Sequence, residues 1–351
     1  MPAPAPEHRL RRAWTRRGPL ACLLWPLSLA YGALAALHRG LYRLGWRRAT
    51  RLPVPVIVVG NVVAGGAGKT PTTLALAAQL RARGWHPGIV SRGHGRRSTD
   101  TRAVESGADP RDVGDEPLLL RRRADVPVFV ARRRADAGRA LLARHPEVDL
   151  LLCDDGLQHL ALARDVELCV FDARGVGNGW LLPAGPLREP WPRAVDLVLW
   201  TEPAPAAQLV RTQAAPDDRR VFASVRRLAT HALRADGTRV ALASLRGQRV
   251  TALAAIARPE AFFDMLRDAG LVLAAKLALP DHDPLDAITP APDPLLPLVC
   301  TEKDAAKLWR RHPEAWAVPL ELDLPAGLVE ALVARLQSRQ DPATTLNCDR
   351  T

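Results

Sequence analysis

The sequence predicts an α/β protein built on a doubly wound, mostly parallel sheet. Short apolar runs recur at 54–60, 87–91, 126–130, 148–153, 166–172 and 195–201, rich in Val, Ile and Leu and nearly free of alternation. Strands covered by helices on both faces read this way. Stretches of helical character lie between several of them, at 72–83 and 136–144, and strand–helix alternation predicts a doubly wound sheet. The third observation is a strand that runs straight into a glycine-rich loop ending in Gly68-Lys69-Thr70. The chain has 351 residues, of which 48% are hydrophobic and 25% charged. That balance supplies a core and excludes extended disorder, while a single apolar stretch of spanning length excludes a polytopic membrane protein.

A second unit follows the first. Composition shifts to Ala, Pro, Gln and Asp over 203–218, which reads as a loop. The runs 221–225, 231–234 and 238–242 then read as short antiparallel strands. Beyond them, strands near 249–256, 271–279, 295–301 and 318–322 alternate with helices near 260–269, 304–311 and 327–338. The expected division is an N-terminal segment 1–51, a core 52–217, a β linker 218–245, a smaller C-terminal α/β lobe 246–339 and a frayed polar tail 340–351.

The net charge is +12, but residues 1–51 hold ten arginines against Glu7, leaving +3 for the other 300 residues. A basic segment on a nearly neutral body excludes a basic nucleic-acid-binding domain, so no nucleic-acid partner is expected. Residues 18–37 carry no charge and are flanked by Arg16-Arg17 and Arg39. Twenty apolar residues just span a bilayer core, and Trp14, Trp25, Tyr31, Tyr42 and Trp46 are of the types that favour a membrane interface. Pro26 would kink the helix. The segment reads as a helix that dips into or lies along the inner leaflet, with its arginines on anionic lipid. A buried core helix and a cleaved signal are the alternatives. The five cysteines are scattered without CxxC spacing, so neither a disulfide framework nor a zinc knuckle is indicated and a reducing compartment fits.

The loop from Gly60 to Thr70, GNVVAGGAGKT, has the context of a P-loop: strand before, helix after, with Pro71 suited to a first turn. Glycines let backbone N–H groups turn toward phosphate oxygens, and the helix N-terminus adds positive dipole. Val63, Ala64, Gly65, Gly66, Ala67, Gly68, Lys69 and Thr70 are the expected nucleotide-binding residues. Lys69 would reach the β/γ-phosphates and Thr70 would ligate Mg²⁺. The first glycine of GxxxxGK[ST] is replaced by Val63.

The run 148–153 ends in Asp154-Asp155-Gly156-Leu157-Gln158-His159. A carboxylate at the end of a buried strand beside a P-loop is the Walker-B arrangement, which places an acid next to the metal. Asp-Asp-Gly is also good turn chemistry. Ser91-Arg92-Gly93-His94-Gly95-Arg96 has the polar density of an anion-binding loop, Gly114-Asp115-Glu116-Pro117 opens a helical run, and residues 175–189 form a long glycine-rich loop ending in Arg188-Glu189.

Taken together these segments resemble the tetraacyldisaccharide 4′-kinase family, the lipid A 4′-kinases. The resemblance rests on VPVIVVGNVVAGGAGKTP, SRGHGR, GDEPLLL, DDGLQH, FDARGVGNGWLLPAGPLREP, RPEAFFDMLRDAG, LPDHDP and CTEKDAAKL, in the family's order. Family members carry valine-like residues at position 63. His94 stands where an aromatic is usual, and Ala257-Arg258 where glycine-asparagine is usual.

The resemblance implies a P-loop α/β/α core, a smaller C-terminal lobe and an N-terminal membrane-associated helix. It implies transfer of the γ-phosphate of ATP, with Mg²⁺, to the 4′-hydroxyl of tetraacyldisaccharide 1-phosphate at the cytoplasmic face of the inner membrane. It also implies roles: Asp115 as general base, His282 as the residue that tunes it, and Lys69, Asp154 and Asp155 as further catalytic groups. Thr70, Asp154 and Gln158 would serve the metal, and Asn61, Arg92, Arg96, His159, Arg188 and Glu189 the substrate. Guanidinium forks suit phosphate and a sugar hydroxyl needs a positioned base. No obligate protein partner is evident. A membrane-recruited switch ATPase shares the P-loop and basic anchor but has no use for Asp115 or His282.

Overall fold

The computed structural model of the protein describes residues 13–202, 220–281, 283, 285 and 295–340. The whole of the expected loop at 203–218, the tail beyond Gln340, and His282 fall outside them.

Eight strands form the first sheet: β1 (Val56–Gly60), β2 (Pro87–Ser91), β3 (Arg102–Ala103), β4 (Val128–Val130), β5 (Leu150–Asp154), β6 (Val166–Phe171), β7 (Leu197–Trp200) and β8 (Val221–Ala223), in the order β3-β4-β2-β5-β1-β6-β7-β8. All neighbours are parallel except β3 on β4. The expectation of an antiparallel strand at 221–225 is therefore corrected: β8 runs parallel to β7. It closes the sheet edge in the direction of its neighbours. Helices α2 (Lys69–Arg81), α4 (Asp115–Ala124) and α5 (Arg134–Arg144), with the short α3 (Pro110–Val113), cover the sheet. Strands β1 and β5 are buried along their whole length, which is why they lack alternation.

The second sheet has the order β11-β10-β15-β14-β12-β13, from β10 (His231–Leu233), β11 (Arg239–Ala241), β12 (Arg249–Ala254), β13 (Val272–Ala278), β14 (Leu298–Thr301) and β15 (Trp316–Val318). Its helices are α6 (Pro259–Asp268) and α7 (Glu302–Leu308). The expected strand at 318–322 is two strands, because Pro319 supplies no N–H to a ladder. β15 stays in the second sheet, while β16 (Leu320–Asp323) leaves it to pair with β9 (Val225–Leu228) as a two-stranded ribbon between the lobes.

The last helix, α8 (Ala326–Gln340), belongs to the second lobe by sequence but packs on the first. Leu328, Val329, Leu332 and Leu336 are fully buried in one cluster with Ile57, Leu76 and Leu80 of β1 and α2. Leu332→Ala is expected to lower unfolding stability by about 2–5 kcal/mol, read as a shift in the denaturant midpoint at unchanged slope.

Helix α1 (Pro19–Arg43) is 25 residues long, with Pro26 inside it. Only Ala21 and Ser28 are buried, whereas Leu23 is 76% and Leu34 67% exposed. A core helix buries its apolar stripe, so the reading as a core helix does not hold.

Candidate active site

Parallel sheets present all their carboxyl ends to one edge, and ligands of open α/β sheets bind there. Here two such edges face each other across a cleft of about 670 Å³. The first lobe contributes the loop after β1, Ser91 and Arg92 after β2, and Asp155, Gln158 and His159 after β5. The second contributes Ile256–Arg258 after β12, Asp281 after β13 and Glu302-Lys303 after β14.

The loop after β1 closes on itself. Gly65 and Gly68 take φ of +92° and +87°, a region open to glycine without strain. A Cβ on Gly68 would crowd Arg226 Nη2 at 2.7 Å and Thr201 Cγ2 at 3.1 Å, and the left-handed φ would strain any side chain there. The buried Asn61 donates through Nδ2 to Gly65 O at 3.2 Å and accepts through Oδ1 from Lys69 Nζ at 3.2 Å. Arg174, held by Asp172, donates to Ala64 O and Gly66 O and braces the loop from below. Helix α2 starts at Lys69, two residues before the expected Pro71, because Gly68 in the left-handed region already caps it. Its first N–H groups lack intrahelical partners and point at the loop's mouth.

Strands β1 and β5 are adjacent and in register, Val59 opposite Asp154, so the acidic pair lands beside the loop. Thr73 Oγ1 donates to Asp154 Oδ1 at 3.2 Å, while Asp154 Oδ2 is buried without a hydrogen-bond partner among the described residues. Burial first, then the charges of Glu116 and Asp155, push Asp154 up to about 7. Asp155 turns the other way. It adopts a left-handed φ of +48°, which costs a non-glycine residue about 1 kcal/mol or more. Its carboxylate meets Lys69 Nζ at 3.3 Å and Arg188 Nη1 at 3.1 Å, and its carbonyl accepts from Arg134 Nη2 at 2.6 Å. Burial alone would raise Asp155, but Lys69, Arg188 and Arg134 outweigh it and hold the group down at about 2. One acid thus exchanges its proton near pH 7 in the ligand-free protein, while its neighbour is fixed as an anion.

That contrast predicts a pH dependence of stability. Asp154 titrates at about 7 in the fold against an ordinary 3.8, so the folded state holds its proton more tightly than the unfolded chain. Its contribution favours the fold at low pH and is lost as pH rises toward 7. Asp154→Asn is expected to flatten the melting temperature of the nucleotide- and magnesium-free protein between pH 5 and 7.5 and to raise it at the upper end.

Gln158 reaches the same cluster with both ends of its amide engaged. Nε2 donates to Asn61 O and Glu189 Oε1, and Oε1 accepts from Arg188. Glu189 lies behind it, buried and paired with Arg193. Burial, then Arg134, Arg164 and Arg92, push His159 down to about 4, leaving a neutral imidazole. Arg92 is exposed at the cleft, whereas Arg96 is packed under Gly93, its side chain 4% exposed and burial lowering its pKa.

Asp115 starts α4 after Gly114, whose φ of +94° turns the chain into the helix. Its Oδ2 lies 2.6 Å from Lys307 Nζ on α7 of the opposite lobe. Next to it Lys303 Nζ sits 3.6 Å from Glu116 and 3.2 Å from Asp281, and Arg123 pairs with Glu302 at 2.6 Å. Asp283 O accepts from Lys307 Nζ, so the residues flanking His282 touch the same two lysines. Glu202, at the end of β7, takes Arg226 of the ribbon and Arg258 of the second lobe together. Sequence reasoning assigned no role to Glu116, Arg134, Arg174, Lys303 or Lys307. The signal for the two lysines was their rarity, since the chain holds only Lys69, Lys276, Lys303 and Lys307.

The profile of the tetraacyldisaccharide-1-P 4′-kinase family matches residues 20–337. The chain belongs to that family. Among curated tetraacyldisaccharide 4′-kinases, that of Acidovorax ebreus is 58% identical over 337 residues, 96% of each chain. That of Delftia acidovorans is 57% identical over 341 residues, covering 97% of this chain and 98% of the relative. A crystal structure of the apo form of LpxK from Aquifex aeolicus in complex with ATP superposes with a TM-score of 0.75 at 28% identity, over 90% of this chain and 99% of that one. The tetraacyldisaccharide 4′-kinase fold is therefore the fold described above.

A magnesium site fits these residues. The partnerless buried Asp154 Oδ2 is a hard oxygen donor beside the loop, and Thr70 adds a hydroxyl at the start of α2. Among the described residues no group of three His, Cys, Asp or Glu could hold a metal alone, which suits an ion that completes its shell with water and phosphate.

Proposed function

We propose that the protein is the kinase that transfers the γ-phosphate of ATP to the 4′-hydroxyl of tetraacyldisaccharide 1-phosphate, forming the 4′-phosphorylated lipid A precursor. The observation that carries this reading is Lys69 held between Asn61 and Asp155 at the mouth of the loop, with Asp115 next to the cleft-lining Glu116 and paired with Lys307 of the other lobe. Residues 63–70 would wrap the nucleotide phosphates, and Thr70 and Asp154 would hold Mg²⁺, which neutralises phosphate charge when bound. Lys69 would stabilise the charge that shifts to the β–γ bridging oxygen as that bond breaks. Asp115 would take the 4′-hydroxyl proton as the sugar oxygen bonds to the γ-phosphorus, released from Lys307 to do so. His282 is the proposed partner of that base. Asn61, Gln158 and Glu189 position Arg188 and Lys69, and Arg92, Arg134, Arg188 and the deeper Arg96 supply cations for sugar-linked or nucleotide phosphate.

The acceptor is an amphiphile, and α1 offers it an apolar surface. Exposed Leu23, Leu27, Leu34 and Leu37 suit burial in lipid, and the flanking arginines suit anionic headgroups. Tyr31 of the same helix lines the cleft, so a substrate held in the bilayer surface meets the phosphate site from that side. The proposed site of action is the cytoplasmic face of the inner membrane, a reading that the exposed apolar face of α1 and its flanking arginines support.

The test is transfer of labelled γ-phosphate from ATP to tetraacyldisaccharide 1-phosphate in detergent micelles with Mg²⁺. Labelled 4′-phosphorylated lipid is the expected product. ATP hydrolysis with no labelled lipid would sink the kinase reading in favour of a switch ATPase.

A further inference from the structure

Among the described residues, helix α1 is held to the body by the loop between β6 and β7. Ser28 Oγ donates to Leu181 O at 2.8 Å and accepts from Ala184 N at 3.0 Å, and Trp14 Nε1 donates to Pro183 O at 2.9 Å. The other side of that loop rests on the phosphate loop, where Ala64 N donates to Pro186 O at 2.8 Å and Arg188 N to Val62 O at 2.7 Å. Arg188 is where the two attachments meet. Its amide is bound to the phosphate loop, its carbonyl accepts from Tyr31 OH at 2.7 Å, and its guanidinium holds Asp155, which holds Lys69. A side chain on the lipid-facing helix is thus three contacts from the P-loop lysine.

We propose that Tyr31 is a positioning residue for phosphoryl transfer. Its hydroxyl fixes the Arg188 backbone, so the seating of α1 sets the direction of the Arg188 guanidinium and, through Asp155, the place of Lys69. The inference rests on the kinase reading above. Both backbone polar groups of Arg188 are tied down, its N–H to the phosphate loop and its C=O to α1, so the two peptides flanking its Cα, and with them the point from which the side chain departs, are set by those two elements. The lipid surface that receives α1 is by this route a structural input to the phosphate site as well as an anchor.

Tyr31→Phe removes the hydroxyl and keeps the ring. In the full-length enzyme with ATP and tetraacyldisaccharide 1-phosphate in mixed micelles, kcat is expected to fall about tenfold, the cost of one partly buried hydrogen bond lost at a positioned group. The KM for lipid and flotation with vesicles of phosphatidylethanolamine and phosphatidylglycerol are expected to match the wild type. In an Arg188→Ala background the same substitution is expected to have almost no further effect, because the two act on one path. Additive losses in the double variant, a raised lipid KM at unchanged kcat, or flotation lost in step with activity would each overturn the proposal. Wild-type protein that labels no lipid would overturn the kinase reading instead.

Discussion

Lys69→Ala is expected to lower the rate of phosphoryl transfer on the order of a thousandfold or more, because it removes the one P-loop cation aimed at the bond that breaks. Lys69 is 8% exposed and is held by Asn61 and Asp155 before any nucleotide arrives. Its loss acts twice. The transition state loses a fixed charge in a shielded site, and Asp155 loses the cation that does most to hold it as an anion. Circular dichroism should remain that of the wild type, since α2 keeps its Gly68 cap and its buried Leu76 and Leu80. A Lys69→Ala enzyme with a tenth of the wild-type kcat would show that the guanidinium of Arg188 or Arg134 does this work instead.

Asp115→Asn carries the second large effect, a fall in kcat of about a hundredfold to ten-thousandfold with ATP affinity nearly unchanged. The competing account makes Asp115 only half of an interlobe ion pair with Lys307. Lys307→Met separates the two. It breaks the same pair and leaves the carboxylate in place, so it should cost far less than Asp115→Asn. Equal losses in both variants would assign Asp115 to lobe closure. Transfer by Asp115→Asn within a few-fold of the wild type would remove it from the chemistry.

The strands were legible because their composition follows from their surroundings. β2 occupies the predicted 87–91, and β5 and β6 differ from expectation only at their ends, since strands buried on both faces admit little but Val, Ile and Leu. The path of the chain after residue 220 was less legible. The direction of β8, the crossing at Pro319 and the return of α8 to the first lobe depend on partners outside any local stretch of chain, and local periodicity carries no record of them. The motifs named most of the groups gathered in the cleft, Lys69, Thr70, Asp155, Gln158, His159, Arg92 and Arg188. They did not name Lys303 and Lys307, because an acid pair and a lysine pair on facing helices have no spacing rule in sequence. In a chain this poor in lysine the residues themselves were the clue. Tyr31 was read as an interface aromatic, and nothing in the helix sequence says that its hydroxyl meets a carbonyl 157 positions later.

The return of α8 also sets an order of events at the ribosome. The phosphate-binding lobe is encoded first, yet the face of its sheet beneath α2 stays open until Leu328 to Leu336 have left the exit tunnel. The apolar α1 emerges long before that, free to settle on a bilayer while the rest is still being made. The core of the phosphate-binding lobe is therefore completed only when synthesis is nearly finished.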